Sequence, residues 1–134
     1  MQGVNADVQR LARQGLPEVV YAAGKTVAQV QAALNTLHEA NGIALATRVS
    51  PEMAAVLSAD DGVYDEVSRV WSWGALPRMT GVAPVAVVCA GTSDLPVAEE
   101  AARVLAFGGA EVLRVMDVGV AGLHRLLERI EEIQ

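Results

Sequence analysis

The strongest constraint on the fold is a continuous apolar run, Val85 to Ala90, which has the length of a buried strand. A polar turn at 91–94 follows it, then a helical pattern from Pro96 to Phe107 and a second strand pattern from Glu111 to Met116. An apolar stripe at helical spacing over 123–133 predicts a last helix. This order predicts a parallel βαβα unit, the first half of a doubly wound sheet.

The residues before this unit carry a second alternation of strands and helices. Thr26 and Gln29 have the spacing of a capping box at the start of a helix. Ser50 before Pro51 predicts the start of another helix, because serine caps helices and proline suits their first position. The predicted elements are strand 18–21, helix 26–41, strand 43–47, helix 51–57 and strand 67–73.

A connector at 74–84 holds two prolines and two glycines and shows little periodicity. We therefore predict a small N-terminal α/β domain at 1–80 and a second α/β domain at 81–134. Composition supports this fold class. Only 4% of the residues are aromatic while 52% are hydrophobic. The cores must therefore be filled mainly by Ala, Val and Leu, as in helices packed on parallel strands.

Charge and composition exclude several function classes. The net charge of −6 offers no electrostatic footprint for nucleic acid or an anionic membrane. No apolar stretch reaches the roughly 18 to 20 residues of a membrane span, so we expect a soluble, cytoplasmic protein. The single cysteine, Cys89, lies in an apolar run and is interpreted as a buried structural thiol rather than a nucleophile. With only two distant histidines, His38 and His124, no closed zinc ligand set and no metal site are expected.

Two loops follow the predicted strands of the second unit, where ligands collect in open parallel sheets. The first, Gly91 to Asp94, combines a glycine, two hydroxyls and a carboxylate ahead of a helix N-terminus, which suits a phosphate. The alternative is that Ser93 or Asp94 only caps the helix. The second, Asp117 to Gly122, leads to His124, which is either an acid/base residue or a solvated or capping histidine.

Two cations of the first unit are candidate anion contacts. Lys25 lies in a Gly-Lys-Thr sequence, but a phosphate-binding P-loop would need a glycine where Val19 stands, so a nucleoside triphosphatase is excluded. Lys25 could still contact an anionic substrate or be a surface cation. Arg48, between a strand and the Ser50 cap, leaves the same two alternatives open.

Several strings of the sequence, in their order along the chain, resemble the LarB family of nickel-pincer-nucleotide cofactor biosynthesis. Those that carry the resemblance are Gly15–Tyr21, Gly24–Thr26, Thr47–Glu52, Ala90–Glu100 and Asp117–Arg125. The most specific are Ala-Gly-Thr-Ser-Asp-Leu-Pro-Val-Ala-Glu-Glu and Asp-Val-Gly-Val-Ala-Gly-Leu-His-Arg. The resemblance implies a small N-terminal α/β domain followed by part of a domain similar to PurE, with a flavodoxin-like parallel sheet.

The resemblance also implies a carboxylase/hydrolase acting on nicotinic acid adenine dinucleotide. Such an enzyme adds CO₂ to the pyridinium ring and cleaves the phosphoanhydride with loss of AMP. Mg²⁺ is a candidate cofactor, and a homo-oligomer is expected. The loop at 92–94 would bind phosphate and substrate, and the loop at 117–122 would face the reacting ring. The implied catalytic residues are Asp94, Asp117 and His124, and the implied substrate-binding residues are Lys25, Arg48, Gly91, Thr92, Ser93, Gly119 and Gly122.

The family mechanism uses a cysteine thiolate from the later part of the PurE-like domain, and this sequence ends at Gln134 before that position. Cys89 does not correspond to it. We therefore expect the 134-residue chain by itself to act as an inactive fragment, a nucleotide-binding module or an oligomerisation module. A PurE-type purine carboxylase is a weaker alternative, because Val118 to Gly122 replaces that family's histidine-containing loop. A two-stranded sheet leaves its edges open, so the second unit should pack on the first or on another copy.

Overall fold

A computed structural model describes residues 6–10 and 16–116. Strands and helices alternate along most of it, as the sequence predicts, but three strands follow one another between residues 62 and 88. The elements are β1 (Val20–Tyr21), α1 (Val27–Asn41), β2 (Ala44–Thr47), α2 (Pro51–Val56), β3 (Gly62–Asp65), β4 (Val70–Trp73), β5 (Val85–Val88), a 3₁₀ turn (Thr92–Asp94), α3 (Leu95–Phe107) and β6 (Val112–Val115). The α/β class with parallel strands of a flavodoxin-like type is confirmed.

The two predicted helix starts in the first unit are confirmed by their caps. The Thr26 hydroxyl accepts a hydrogen bond from the Gln29 N–H at 3.1 Å, and the Gln29 side chain accepts from the Thr26 N–H at 3.0 Å. The helix ends at Gly42, whose backbone is left-handed. The Ser50 hydroxyl caps α2 by accepting from the Met53 N–H at 3.1 Å. Local sequence alone therefore determines where these helices begin.

The first sheet has four strands in the order β1-β2-β4-β3, and only the β1–β2 pair is parallel. The sequence pattern gave no strand at 62–65, and it started the next strand at Val67 instead of Val70. The difference comes from a tight turn between β3 and β4. Both the backbone N–H and the hydroxyl of Ser68 donate to one oxygen of Asp65, at 2.9 and 2.6 Å. This turn takes 66–69 out of the strand and turns the chain back to form a hairpin.

The second sheet pairs β5 and β6 in parallel, with Val85 opposite Val112, as expected for a βαβ unit. Val85 and Val88 remain 39% and 48% exposed. Within the described residues α3 is the element that packs on this sheet. The predicted last helix at 123–133 lies outside the described residues. The division at residue 80 stays a prediction.

Helix α3 also covers the first sheet, which brings the two units together. One face of that sheet packs on α1 through Ala44 and Ala46, while Leu45 and Val70 point to the opposite face and meet Phe107 of α3. Because strand residues alternate between faces, β2 is buried on both sides. The second unit thus packs on the strands of the first, one of the two arrangements the sequence predicts.

The connector is fixed to the C-terminal end of α3. The Leu76 N–H donates to the Phe107 carbonyl at 2.9 Å, and the Met79 N–H donates to the Gly109 carbonyl at 2.8 Å. Gly109 has φ +93, and a side chain there would collide with the Pro77 carbonyl oxygen. A glycine is therefore required at this close approach of two backbones.

Candidate functional site

Two arginines stand at one edge of the first sheet, where β2 ends and β4 begins. Arg48 follows β2 and Arg69 precedes β4, and their backbones are neighbours because the Val49 N–H donates to the Arg69 carbonyl at 2.9 Å. Both have left-handed backbones, with φ +58 and +57. In the part of the chain that the structure describes, they are the only residues other than glycine with positive φ. A left-handed conformation disfavours arginine, and such outliers cluster at ligand sites.

Arg69 was not among the residues singled out from the sequence. The sequence pattern predicts a strand at 67–73, within which a single charged residue is ordinarily a solvent-facing position. The only sequence signal is that a cation interrupts the otherwise uncharged stretch from Val67 to Trp73. The turn that brings Arg69 beside Arg48 depends on the missed strand β3.

Lys25 and Arg48 both lie beside Tyr21, at the carboxyl end of β1. The Lys25 ammonium donates to the Tyr21 carbonyl at 2.6 Å. The Arg48 guanidinium carbon lies 6.0 Å from the centre of the Tyr21 ring, at the limit of a cation–π contact. The carboxyl ends of β1 and β2 meet here because these strands are parallel. Lys25 is thus held by its own loop, while Arg48 extends toward α3.

Arg48 joins the first sheet to α3 by an ion pair with Glu100. Its Nε donates to one carboxylate oxygen at 2.7 Å and a terminal nitrogen donates to the other at 3.4 Å. The hydrogen bond to Glu100, together with the charge of that carboxylate, raises the pKa of Arg48 above its ordinary value. The pair is solvent-exposed, so we assign it a positioning role rather than a large contribution to stability.

A cleft of about 510 Å³ lies between the 66–69 turn and the first turns of α3. This volume is within the range of small-molecule sites. Two arginines and two glutamates contribute charge, and exposed valines from both sides contribute apolar surface. The lining residues are Arg48, Glu66, Val67, Ser68, Arg69, Pro96, Val97 and Glu100.

The predicted phosphate loop, 91–94, forms a 3₁₀ turn directly before α3. Asp94 occupies the capping position of α3, but its side chain makes no capping hydrogen bond. Thr92, Ser93 and Asp94 are all exposed. Gly91 has an extended backbone, and a side chain there would meet no other atom. The interpretation of Asp94 as a simple helix cap thus has no support in its hydrogen bonding.

The loop at 91–94 is not joined directly to the basic residues of the first unit. Among the described residues, no hydrogen bond or ion pair links this loop to Lys25 or Arg48. Glu100, one and a half helical turns after the loop, is the residue that contacts Arg48. Asp117, Gly119, Gly122 and His124 lie outside the described residues.

Cys89 is buried at the end of β5, with 7% of its surface exposed. Its sulfur lies 3.6 Å from the Gly91 carbonyl oxygen and 3.4 Å from the Met116 sulfur. It does not line the 510 Å³ cleft. The expectation that Cys89 is buried is confirmed, and its structural rather than nucleophilic role stays a prediction.

The described residues do not supply a protein-held metal site. Across 6–10 and 16–116, no three His, Cys, Asp or Glu side chains converge as a metal ion would require. Asp94 alone cannot supply all the ligands of a Mg²⁺ ion. In many proteins, however, Mg²⁺ is held by one or two carboxylates together with substrate phosphates. No helix in this part of the chain is long and apolar enough to cross a membrane.

The comparison with known families agrees with this architecture. The family model for the LarB/PurE-like N-terminal domain matches residues 1–74, which contain the whole four-stranded sheet. The chain belongs to the LarB family. An uncharacterized protein of Methanocaldococcus jannaschii is 35% identical over 135 residues, which cover 95% of this chain and 53% of the relative. The chain thus spans about half the length of the curated relative it matches, and the match runs beyond the domain at 1–74.

Proposed function

We propose that this chain acts in a LarB-type carboxylase/hydrolase whose substrates are nicotinic acid adenine dinucleotide and CO₂. In the overall reaction CO₂ replaces a ring proton of the pyridinium, and water cleaves the phosphoanhydride. The products are AMP, a pyridinium biscarboxylate mononucleotide and protons. Family membership supports a LarB-like or PurE-like function in general, and the specific substrate is the proposal.

The observation that carries the proposal is the exposed, uncapped loop at 91–94. The free hydroxyls of Thr92 and Ser93 can donate to a phosphate, and the α3 N-terminus behind them adds backbone N–H groups and a favourable dipole. Helix α3 in turn carries Glu100, which holds Arg48 at the same end of the fold. An anionic dinucleotide is therefore offered donors from both units.

The ring chemistry needs a thiolate that adds to the pyridinium and makes a neighbouring carbon nucleophilic toward CO₂. The thiolate leaves again after carboxylation, so it is not consumed. Cys89 is not assigned this role, because its sulfur is buried against Gly91 and Met116. Asp117 and His124 remain proposed catalytic residues beside the reacting ring, and Gly119 and Gly122 remain proposed substrate contacts.

The experiment is to incubate the purified chain with nicotinic acid adenine dinucleotide, ¹³C-bicarbonate and Mg²⁺. Liquid chromatography would measure AMP release, and mass spectrometry would measure isotope incorporation into the mononucleotide. Turnover supports the proposed activity of this chain. Saturable dinucleotide binding without turnover supports the alternative of a nucleotide-binding module. If neither is seen, both are wrong for this chain.

Asp94→Ala tests the loop, with Asp61→Ala as the matched control. Asp61 is an exposed aspartate in the turn before β3 and does not line the 510 Å³ cleft. We expect Asp94→Ala to weaken dinucleotide binding by about 1 to 3 kcal/mol if a charge-assisted contact is lost. Asp61→Ala should leave the affinity unchanged. Equal affinities of the two variants would count against a ligand contact at Asp94.

We also propose that the protein assembles as a homo-oligomer. In the part of the chain that the structure describes, Val85 and Val88 on β5 are exposed apolar side chains of a sheet with two strands, and such sheets are marginal without further strands or cover. Size-exclusion chromatography with light scattering tests this. A monomer at all concentrations would contradict it.

A further inference from the structure

The 510 Å³ cleft contains three kinds of surface that together match a nucleoside monophosphate. A nucleotide needs a cation for its phosphate, an acceptor for its ribose hydroxyls and an apolar surface for its base. Arg69 supplies the cation, Glu66 supplies the acceptor, and Val67 and Val97 supply the apolar surface. We propose that this cleft binds the AMP half of the dinucleotide, with Arg69 as the phosphate ligand. The assignment rests on the proposed function and adds a residue and a subsite to it.

The phosphate position follows from which of the two arginines already has an anionic partner. Arg48 is engaged with Glu100 at 2.7 Å, so its charge is largely compensated. Arg69 makes no ion pair within the described residues, although it lines the same cleft. Its guanidinium is thus available to an incoming anion, to which it can donate two parallel hydrogen bonds. Arg48, the neighbouring cation, adds attraction at longer range.

The backbone at Arg69 favours a functional explanation for the side chain. At φ +57 a glycine would be less strained than any larger residue. The Arg69 carbonyl already accepts the structural hydrogen bond from Val49, and glycine would retain that bond. The described structure thus gives the guanidinium no structural role that compensates for the strained backbone. Binding an anion supplies one.

The apolar walls favour a nucleotide over a simple anion. Val67 on the β3–β4 turn is 48% exposed and Val97 on α3 is 64% exposed. They line the cleft from its two sides, so a flat base between them would cover both. A free phosphate would leave them exposed. Glu66 would repel a free phosphate held beside it but accepts hydrogen bonds from ribose hydroxyls, the use that dinucleotide-binding folds make of an acidic residue.

The first test is calorimetric titration of the whole chain with AMP, adenosine and inorganic phosphate. We expect AMP to bind at least tenfold more tightly than either part, because it engages the cation and the apolar walls together. Absence of saturable AMP binding at millimolar concentration would overturn the proposal. Phosphate binding as tightly as AMP would also overturn it, since the apolar walls would then contribute nothing.

The second test changes Arg69. Arg69→Gln should weaken AMP binding at least tenfold, while Arg78→Gln, an exposed arginine of the connector outside the cleft, should change it less than twofold. Arg69→Gly should lose AMP binding to the same extent without lowering the melting temperature, because glycine suits the left-handed backbone. Unchanged AMP affinity in both Arg69 variants refutes the assignment. A melting temperature that falls in Arg69→Gly would show a structural role and would also refute it.

The opposite wall gives an independent pair of variants. Val97→Glu places a carboxylate in the cleft at the first turn of α3, where helices tolerate acidic residues. Ala101→Glu adds the same charge at an exposed position of α3 outside the cleft. We expect Val97→Glu to weaken AMP binding at least tenfold and Ala101→Glu to have little effect. Equal effects would locate AMP elsewhere and overturn the proposal.

Failure of this inference is distinguishable from failure of the proposed function. AMP binding that depends on Arg69, without carboxylation of the dinucleotide, would support the subsite and contradict the activity of this chain. Turnover with an unchanged KM in Arg69→Gln would support the activity and refute the subsite.

Discussion

Replacement of Phe107 by alanine should reveal whether the two units unfold together. Phe107 is 3% exposed and packs against Ile43, Leu45 and Val70 on the face of the first sheet opposite α1. Buried Phe→Ala changes cost about 3 to 5 kcal/mol. Phe107 borders a cavity of about 160 Å³ that is open to solvent, so deletion of its ring enlarges an existing opening rather than leaving a sealed void. We therefore expect a loss near the lower limit, about 3 kcal/mol.

The assay is urea unfolding followed by two signals. Both tryptophans of the chain, Trp71 and Trp73, lie on β4 in the first sheet, so their fluorescence reports that sheet alone. Far-ultraviolet circular dichroism reports the helices of both units. Because Phe107 belongs to the second unit, any shift of the tryptophan transition in Phe107→Ala measures coupling across the interface. The midpoint should fall with both signals, and the two curves should coincide.

Leu34→Ala is the matched control, because Leu34 is fully buried between α1 and the other face of the first sheet. It should lower the tryptophan midpoint whether or not the units are coupled. If Phe107→Ala leaves that midpoint unchanged while a second transition appears in circular dichroism, α3 does not stabilise the first sheet. The packing argument would then be wrong.

Three further variants test single local features. Thr26→Ala removes the hydroxyl that accepts from the Gln29 N–H but keeps the backbone N–H that donates to the Gln29 side chain, and it should cost about 1 kcal/mol, measured by thermal unfolding. Gly62→Ala should cost about 1 to 3 kcal/mol by overpacking, because a side chain at Gly62 collides with the ring of buried Trp71; an unchanged melting temperature would contradict this. Burial raises the pKa of Asp65, but hydrogen bonds from Ser68 and nearby arginines outweigh it and hold that pKa below its ordinary value. Because the pKa of Asp65 is lower in the folded state, its ionised carboxylate stabilises the fold fully above the unfolded pKa of about 3.9. This stabilisation is lost as the pH falls through the folded pKa. The stability difference between the native protein and Asp65→Asn should therefore shrink between pH 6 and pH 3.

Local signals were sufficient for most of the secondary structure. The caps at Thr26 and Ser50 act within a few residues of themselves, so the sequence predicted both helix starts. Local signals did not predict strand β3, because Gly62 to Asp65 is a short strand at the edge of its sheet, beside a turn. Its pairing is stabilised by contacts with β4, which a window of neighbouring residues does not contain.

The residues of the candidate site were also predictable only where the signal is local in the sequence. The loop at 91–94 was found because its residue types and its place before a helix are local features. Arg48 was found because it follows a strand. Arg69 was missed because its importance comes from the hairpin that brings it beside Arg48 and from its left-handed backbone. Neither property is visible in the residues around it.

The residues of the family match do not by themselves cover both faces of the first sheet. The matched residues, 1–74, contain every strand of the first sheet, yet one face of that sheet is covered by Phe107 and Val104, which lie outside the match. Without α3, the buried side chains Ile43, Leu45 and Val70 would lose their cover, and exposed apolar surface costs about 25 cal/mol per Å². The sheet and the helix are thus stabilised by the same contacts. The cleft between them exists only in that packed arrangement, because Arg69 comes from one side and Val97 from the other.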